Sequence, residues 1–270
     1  MGTTVLMQRW VEQWVKATQL WVLEWWRLTF LSSVILVLGL SKSTYRHPLR
    51  ASIANHTYRN TAPILFGFTV VCALVSVVLT RIVLVTAMSY GLSQYALQVV
   101  IRVLVLELIP LTAALFVALR CTIPDGAELV AMRAQQAKGG GSATDVAYLQ
   151  SEVMPRVIAG LLSGITLAAL SCVVASLVAY LASFGFSVFG FGTYTRLFGQ
   201  VFSPAVTLIF ILKTLIFCLT VSLIPMASAL VDGGNASDRT ARTSAEMRGL
   251  VRMFSLVLFF EVASLIGNYY

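Results

Sequence analysis

The sequence predicts an all-α polytopic membrane protein: an N-terminal amphipathic interfacial helix followed by five transmembrane helices. Three observations predict it. Of 270 residues, 58% are hydrophobic and only 11% charged, whereas a soluble domain carries about 25% charged residues. The mean hydropathy is +0.86. Five apolar stretches each reach the roughly 17–25 residues that cross a hydrocarbon layer about 30 Å thick. This balance excludes a soluble enzyme and leaves no room for a separate soluble domain.

The first element is the tryptophan-rich start. All five tryptophans lie here, and Trp10, Trp14, Trp21 and Trp25 share one helical face. Arg9, Glu12, Gln13, Lys16, Glu24 and Arg27 occupy the other. A helix with a Trp face and a charged face lies in the membrane interface. The expectation is that Met1–Arg27 lies flat with its Trp side in lipid. The apolar run Leu28–Leu40 that follows is too short to span alone. A first span over Val15–Leu40, tolerating Glu24 and Arg27, is the alternative. The start lacks the form of a cleaved signal peptide. Ser41–Thr61 is polar and basic, with Lys42, Arg46, Arg50 and Arg59. Residues 1–61 are therefore expected as one unit and 62–270 as the transmembrane domain.

The five spans are read at Ala62–Met88, Tyr95–Leu119, Val157–Leu181, Ala205–Val231 and Leu250–Gly267. Lys and Arg sort strongly by side. Seven precede Ala62, four lie in Arg120–Arg156 and four around Asp232–Arg252, while the other side holds only Arg196. That bias puts the basic loops and the N-terminus in the cytoplasm and Tyr270 outside. Within Val157–Leu181, Gly160, Gly164, Ala168, Cys172 and Ser176 recur every four residues, a spacing that lets two helices approach closely. The outer loop Ala182–Pro204 holds seven aromatic residues among its glycines, so it is expected on the membrane surface or against a partner. The four cysteines form no CxxC pair and read as packing residues.

The chemistry begins with absences. None of the four lysines follows a glycine, so no phosphate-binding GxxxxGK[ST] loop exists. The chain should not hydrolyse ATP itself. No nucleophile–base constellation is visible. The two histidines, His47 and His56, lack a nearby acidic or cysteine cluster, so no metal site is expected. The informative groups are the charges inside spans: Arg81, Arg102, Glu107, Lys213 and Glu261. Charge at that depth is costly and normally faces a bundle interior or a water-filled path. Arg81 and Glu261 sit where a charge can snorkel from a span end. Glu107 lies three residues before Pro110, which opens the helical hydrogen-bond ladder beside it. Arg102 or Lys213 could pair with it.

The stretch Glu107–Met132 reads ELIPLTAALFVALRCTIPDGAELVAM. It resembles the MlaE/YrbE permease family, the membrane subunits of MCE-type ABC lipid transporters. That family carries an E-L-x-P-x-L-T helix, an Arg thirteen residues after the Glu, and A-E-L-x-x-M beyond it. Glu107, Pro110, Arg120, Glu128, Leu129 and Met132 match in order and spacing. Met154–Arg156, the KTLIF of Lys213–Phe217 and the C-terminal VLFFEV are similar to later family segments. The sequence departs from the pattern in Arg133–Arg156, where RAQQAKGGGSATDVAYLQSEVMPR replaces an acidic box. Leu106 also stands where the family has Arg.

The resemblance implies a permease subunit in a bacterial inner membrane that moves phospholipid or another hydrophobic lipid. Its partners would be a second permease subunit (identical or a paralogue), an ABC ATPase carrying ATP and Mg, a hexameric MCE protein and a STAS-like regulator. Nucleic acid is not among them, and the chain itself needs no cofactor. The lipid-cavity candidates are Arg102, Glu107, Pro110, Thr112 and Lys213. The ATPase-coupling candidates are Asp125, Glu128, Met132 and Arg133, presented by a short helix in Ile123–Ala137 within a coupling loop of about 120–156. Gly160, Gly164 and Ala168 are the helix-packing candidates. An ion-coupled secondary transporter or channel, and a non-transporting scaffold, are the competing readings from composition alone.

Overall fold

The computed structural model describes residues 2–41, 47–91, 93–138, 146–233 and 239–269. Among them every regular element is helical. Six helices are long and apolar enough to cross a membrane. Five correspond to the expected spans, and the sixth is Val22–Leu40. It belongs to α1, which runs unbroken over Gly2–Leu40.

Two contacts set the course of α1. Arg252 donates to Glu24 Oε2 at 2.6 Å. A Cβ on Gly39 would lie 3.1 Å from the Met154 side chain. Arg252 is close in sequence to Gly249, which abuts Ser228, and Met154 is close to Gly160, which abuts Ser222. Glu24 and Gly39 are about 22 Å apart along a helix, yet both touch the same end of the bundle. The second half of α1 therefore lies across that end rather than alongside the spans. Leu28, Leu31 and Ile35 are buried and Trp25 packs against the same core. From Trp25 to Ile35 the apolar face is thus turned to protein, so of the Trp side expected in lipid over Met1–Arg27, Trp25 instead packs on the core. There α1 packs on α9 and α7. The side chains of Trp10, Trp14 and Trp21 lie outside the described residues.

Helix α2, His47–Ser89, passes straight through the expected boundary at residue 61. The basic segment from His47 onward is thus the first turns of a long helix. The next membrane segment is a chain of pieces: α3 (Ser93–Val100), a π-helical stretch (Ile101–Leu108), α4 (Ile109–Val117), a second π stretch (Ala118–Thr122) and α5 (Ile123–Lys138). The following one is α6 (Val146–Tyr148), a third π stretch (Leu149–Val153) and α7 (Met154–Phe184). Each π stretch ends two residues before a proline: Pro110, Pro124 and Pro155. Proline lacks an N–H and its ring clashes with the carbonyl four residues back. Widening the preceding turn relieves both. Ile109, Ile123 and Met154 accordingly donate to the fifth carbonyl back, at Leu104, Ala118 and Leu149.

Helices α8 (Phe191–Val201), α9 (Pro204–Gly233) and α10 (Arg239–Tyr269) complete the chain. Helix α9 is the central post, packing on α10, α5, α7, α4 and α1. The small residues of α7 face it. A Cβ on Gly160 would sit 2.8 Å from Ser222 Oγ, and one on Gly164 would sit 2.6 Å from Cys218 Sγ. Ala168 is buried in the same core. The stripe then diverges: Cys172 and Ser176 are only half-buried, and the Ser176 carbonyl accepts from Tyr194 at 2.7 Å. Tyr194 belongs to the expected aromatic loop, which folds into α8 and a ladder of rings: Tyr180, Tyr194, Phe198, Phe202 and Phe210. Its tip leaves Phe186 94% and Phe189 98% exposed.

Candidate functional site

The charges expected inside spans converge. Lys213 projects from α9 and meets Glu107 from the π stretch Ile101–Leu108. It also meets Glu261 of α10, Nζ to Oε2, at 2.9 Å. The three side chains are 3%, 11% and 14% exposed. Lys213 Nζ further lies 5.5 Å from the centre of the Phe217 ring, a favourable cation–π distance. Three helices 48 to 154 residues apart in sequence are thus tied at one point.

The π turn matters to this geometry. A wide turn shifts the register of the residues it carries relative to a regular α-helix, and such turns recur at functional sites. Pro110 is buried immediately beyond it. Thr112 donates back to Leu108 at 2.8 Å, a carbonyl next to the proline break. Thr112 and Pro110 therefore hold the backbone that presents Glu107. Arg102 is exposed on the same stretch.

Two carboxylates and one ammonium thus meet in a poorly solvated place, where charge is costly unless it is paired. Beside Lys213 lies a cavity of about 200 Å³ between α9 and α10, lined mainly by Ile209, Leu212, Ile216, Phe217, Phe260 and Ala263. Apolar walls with a charged corner are the chemistry of a site for an amphipathic ligand.

Glu261 corrects the sequence reading. It does not snorkel but completes the cluster, because α10 packs directly on α9. A second ion cluster was not foreseen at all. Asp232 and Arg252 pair at 3.0 Å, both buried, with Arg248 at 3.5 Å and Glu24 at 2.6 Å. It binds α1, α9 and α10 at the basic end. Asp232 stood in what the sequence reads as a loop, so depth gave no signal.

The coupling candidates lie on α5, which continues the membrane helix and packs on α9 and α10. Asp125 is half-buried and accepts from Asn60 at 3.5 Å. Glu128 has 60% of its side chain exposed and lies 3.7 Å from Arg156. Met132 is half-buried and Arg133 buried. The glycine run that follows α5 lies outside the described residues.

The family model described as Permease MlaE matches residues 53–266. The chain belongs to the MlaE permease family. The match spans α2 to α10, so it includes all three members of the Lys213 cluster, and it begins after α1. As an MlaE-family permease, the chain is a membrane component of transport and not itself an enzyme. No individual curated protein matches it.

Proposed function

We propose that this permease is the membrane subunit of an ATP-driven lipid transporter of the MCE type. It passes a phospholipid or similar lipid between the inner membrane and an MCE protein. The observation that carries the reading is the buried Glu107–Lys213–Glu261 cluster, whose Lys213 lines an apolar cavity. Lipid tails need the apolar wall, and a headgroup needs charge that the bundle otherwise avoids at this depth. Family membership points the same way.

The energy enters from a separate ABC ATPase that binds ATP and Mg, docked on α5 and the segment after it. A second permease subunit, the same chain or a paralogue, closes the lipid path, and a STAS-like protein regulates the ATPase. The excess of Lys and Arg supports an orientation with the α1 end in the cytoplasm and the C-terminus on the periplasmic side. The test is affinity purification of the tagged chain from its own host. A P-loop ATPase should co-purify, and Glu128→Ala with Met132→Ala should reduce its yield. Absence of any ATPase under conditions that keep the chain folded would overturn the proposal and favour an ion-coupled carrier.

A further inference from the structure

Helix α4 sits between two wide turns. The π stretch Ile101–Leu108 ends where it begins, and the π stretch Ala118–Thr122 begins where it ends. The first is eight residues long, whereas most π elements are single turns. Both flanks are seated. Val100 and Ile101 are buried above, and below, a Cβ on Gly160 of α7 would lie 2.9 Å from Thr122 Cγ2. An α turn closes on the fourth residue and a π turn on the fifth. Closing one wide turn while the other widens therefore rotates the nine residues between them and leaves both flanks in place.

Three features suit α4 to turning. Its sequence, IPLTAALFV, has no charge and Thr112 as its one polar side chain, so any face can meet protein or lipid. Its most deeply buried side chains include Ala113 and Ala114, which are small and interlock little with neighbouring helices. Pro110 has no N–H to give the Leu106 carbonyl four residues back, so the α form loses one of the bonds that normally favour it over the wide form.

Glu107 is the group that such a turn moves. Closing the first wide turn rotates it by about 100°, one residue of an α turn. It then takes the direction that Leu108 now holds, which is half-buried rather than buried. A carboxylate about 6 Å from the helix axis travels about 9 Å. Lys213 need not follow, since Glu261 at 2.9 Å and the Phe217 ring hold the ammonium.

We propose that α4 turns about its own axis and carries Glu107 off Lys213, leaving the Lys213–Glu261 pair intact. The chain runs from α4 through the second wide turn directly into α5, so a shift of α5 is answered at Glu107, about 27 Å from Asp125 along the helix. That link rests on the transport reading, in which the ATPase docks on α5; the turn itself does not.

Two experiments test it, and the first needs no ATPase. Pro110→Ala restores an N–H for the Leu106 carbonyl and closes the first wide turn. In the otherwise wild-type chain, a cycle of Glu107→Gln and Lys213→Met in micellar unfolding should show a coupling of about tenfold or more in the unfolding constant. With Pro110→Ala the coupling should fall below about twofold. Unchanged coupling there overturns the proposal.

The second uses the assembled transporter with the four native cysteines replaced by alanine. The rings of Phe68 on α2 and Phe116 on α4 have centres 4.7 Å apart, so Phe68→Cys with Phe116→Cys, oxidised by copper phenanthroline, pins α4. Thr61→Cys with Ser163→Cys, where the hydroxyl oxygens are 2.8 Å apart, pins α2 to α7 and spares α4. Oxidising the first pair should lower lipid transfer about tenfold with the ATPase still bound, as for a blocked gating step, and reduction should restore it. Oxidising the second should leave transfer unchanged. Undiminished transfer by the oxidised first pair, or equal loss in both pairs, overturns the proposal. Absence of an ATPase from the preparation sinks the transport reading and leaves the unfolding cycle as the test of the turn.

Discussion

Replacing Lys213 by Met removes the ammonium and keeps most of the stem volume, so the loss is electrostatic rather than a packing defect. Glu107 and Glu261 then face each other with 11% and 14% of their side chains exposed. Removing one partner of a buried ion pair costs about 3–5 kcal/mol, because the remaining charge is left buried and uncompensated. The lost contact with the Phe217 ring adds about 0.5–2 kcal/mol. Changing all three groups, Glu107→Gln, Lys213→Met and Glu261→Gln, should recover most of this, since buried ion clusters contribute little net stability against neutral replacements. The assay is equilibrium unfolding in mixed micelles followed by far-ultraviolet circular dichroism. Tryptophan emission is unsuitable, because every Trp lies within α1 and reports that helix alone. A Lys213→Met chain within about 1 kcal/mol of wild type, or a triple variant no more stable than the single one, would refute the reasoning.

Four further outcomes follow from the same structure. Gly164→Ala should destabilise by about 1–3 kcal/mol through overpacking against Cys218, and Gly164→Ala with Cys218→Ala should recover part of it in the same unfolding assay. Arg252→Met should cost about 3 kcal/mol because it leaves Asp232 buried, whereas Glu24→Gln, half-exposed, should cost no more than about 1 kcal/mol. Tyr194→Phe loses the bond to the Ser176 carbonyl and should cost about 1 kcal/mol. Burial pushes the Tyr194 hydroxyl up to about 12, so that cost should stay constant through mildly alkaline pH in a pH series of unfolding curves. Cysteine placed at Gln13 should react with an impermeant maleimide only from the cytoplasmic side, and periplasmic labelling would reverse the assignment of sides.

Hydropathy made five spans legible because lipid contact demands continuous apolar length, a local property. Glu107 and Lys213 stood out for the same reason, as charges where lipid forbids them. Their partnership could be offered only as one of two, with Arg102 as the other, since the residues are 106 positions apart and helix packing decides. Glu261 was misread because span-end distance says nothing of which neighbour a helix face meets. Pro110 signalled a broken ladder, but the π form of the break follows only from the backbone. The N-terminal segment shows the same limit. Its amphipathic pattern is readable, yet the apolar face of Trp25–Ile35 could turn to lipid or to protein with identical periodicity, and tertiary contact decides. The α2 boundary was misplaced because polar residues beyond the membrane can continue a helix as readily as begin a loop.

The central claim is that the Lys213 cluster handles lipid while the driving energy comes from another subunit. Glu107→Gln tests it most directly, because the amide keeps the size and hydrogen-bonding capacity but removes the charge. The measurement is lipid transfer by the assembled transporter reconstituted in vesicles, with the co-purified ATPase quantified from the same preparation. The account predicts that transfer falls about tenfold or more while the ATPase remains bound at wild-type yield. Wild-type transfer by Glu107→Gln, with the ATPase bound, would contradict it.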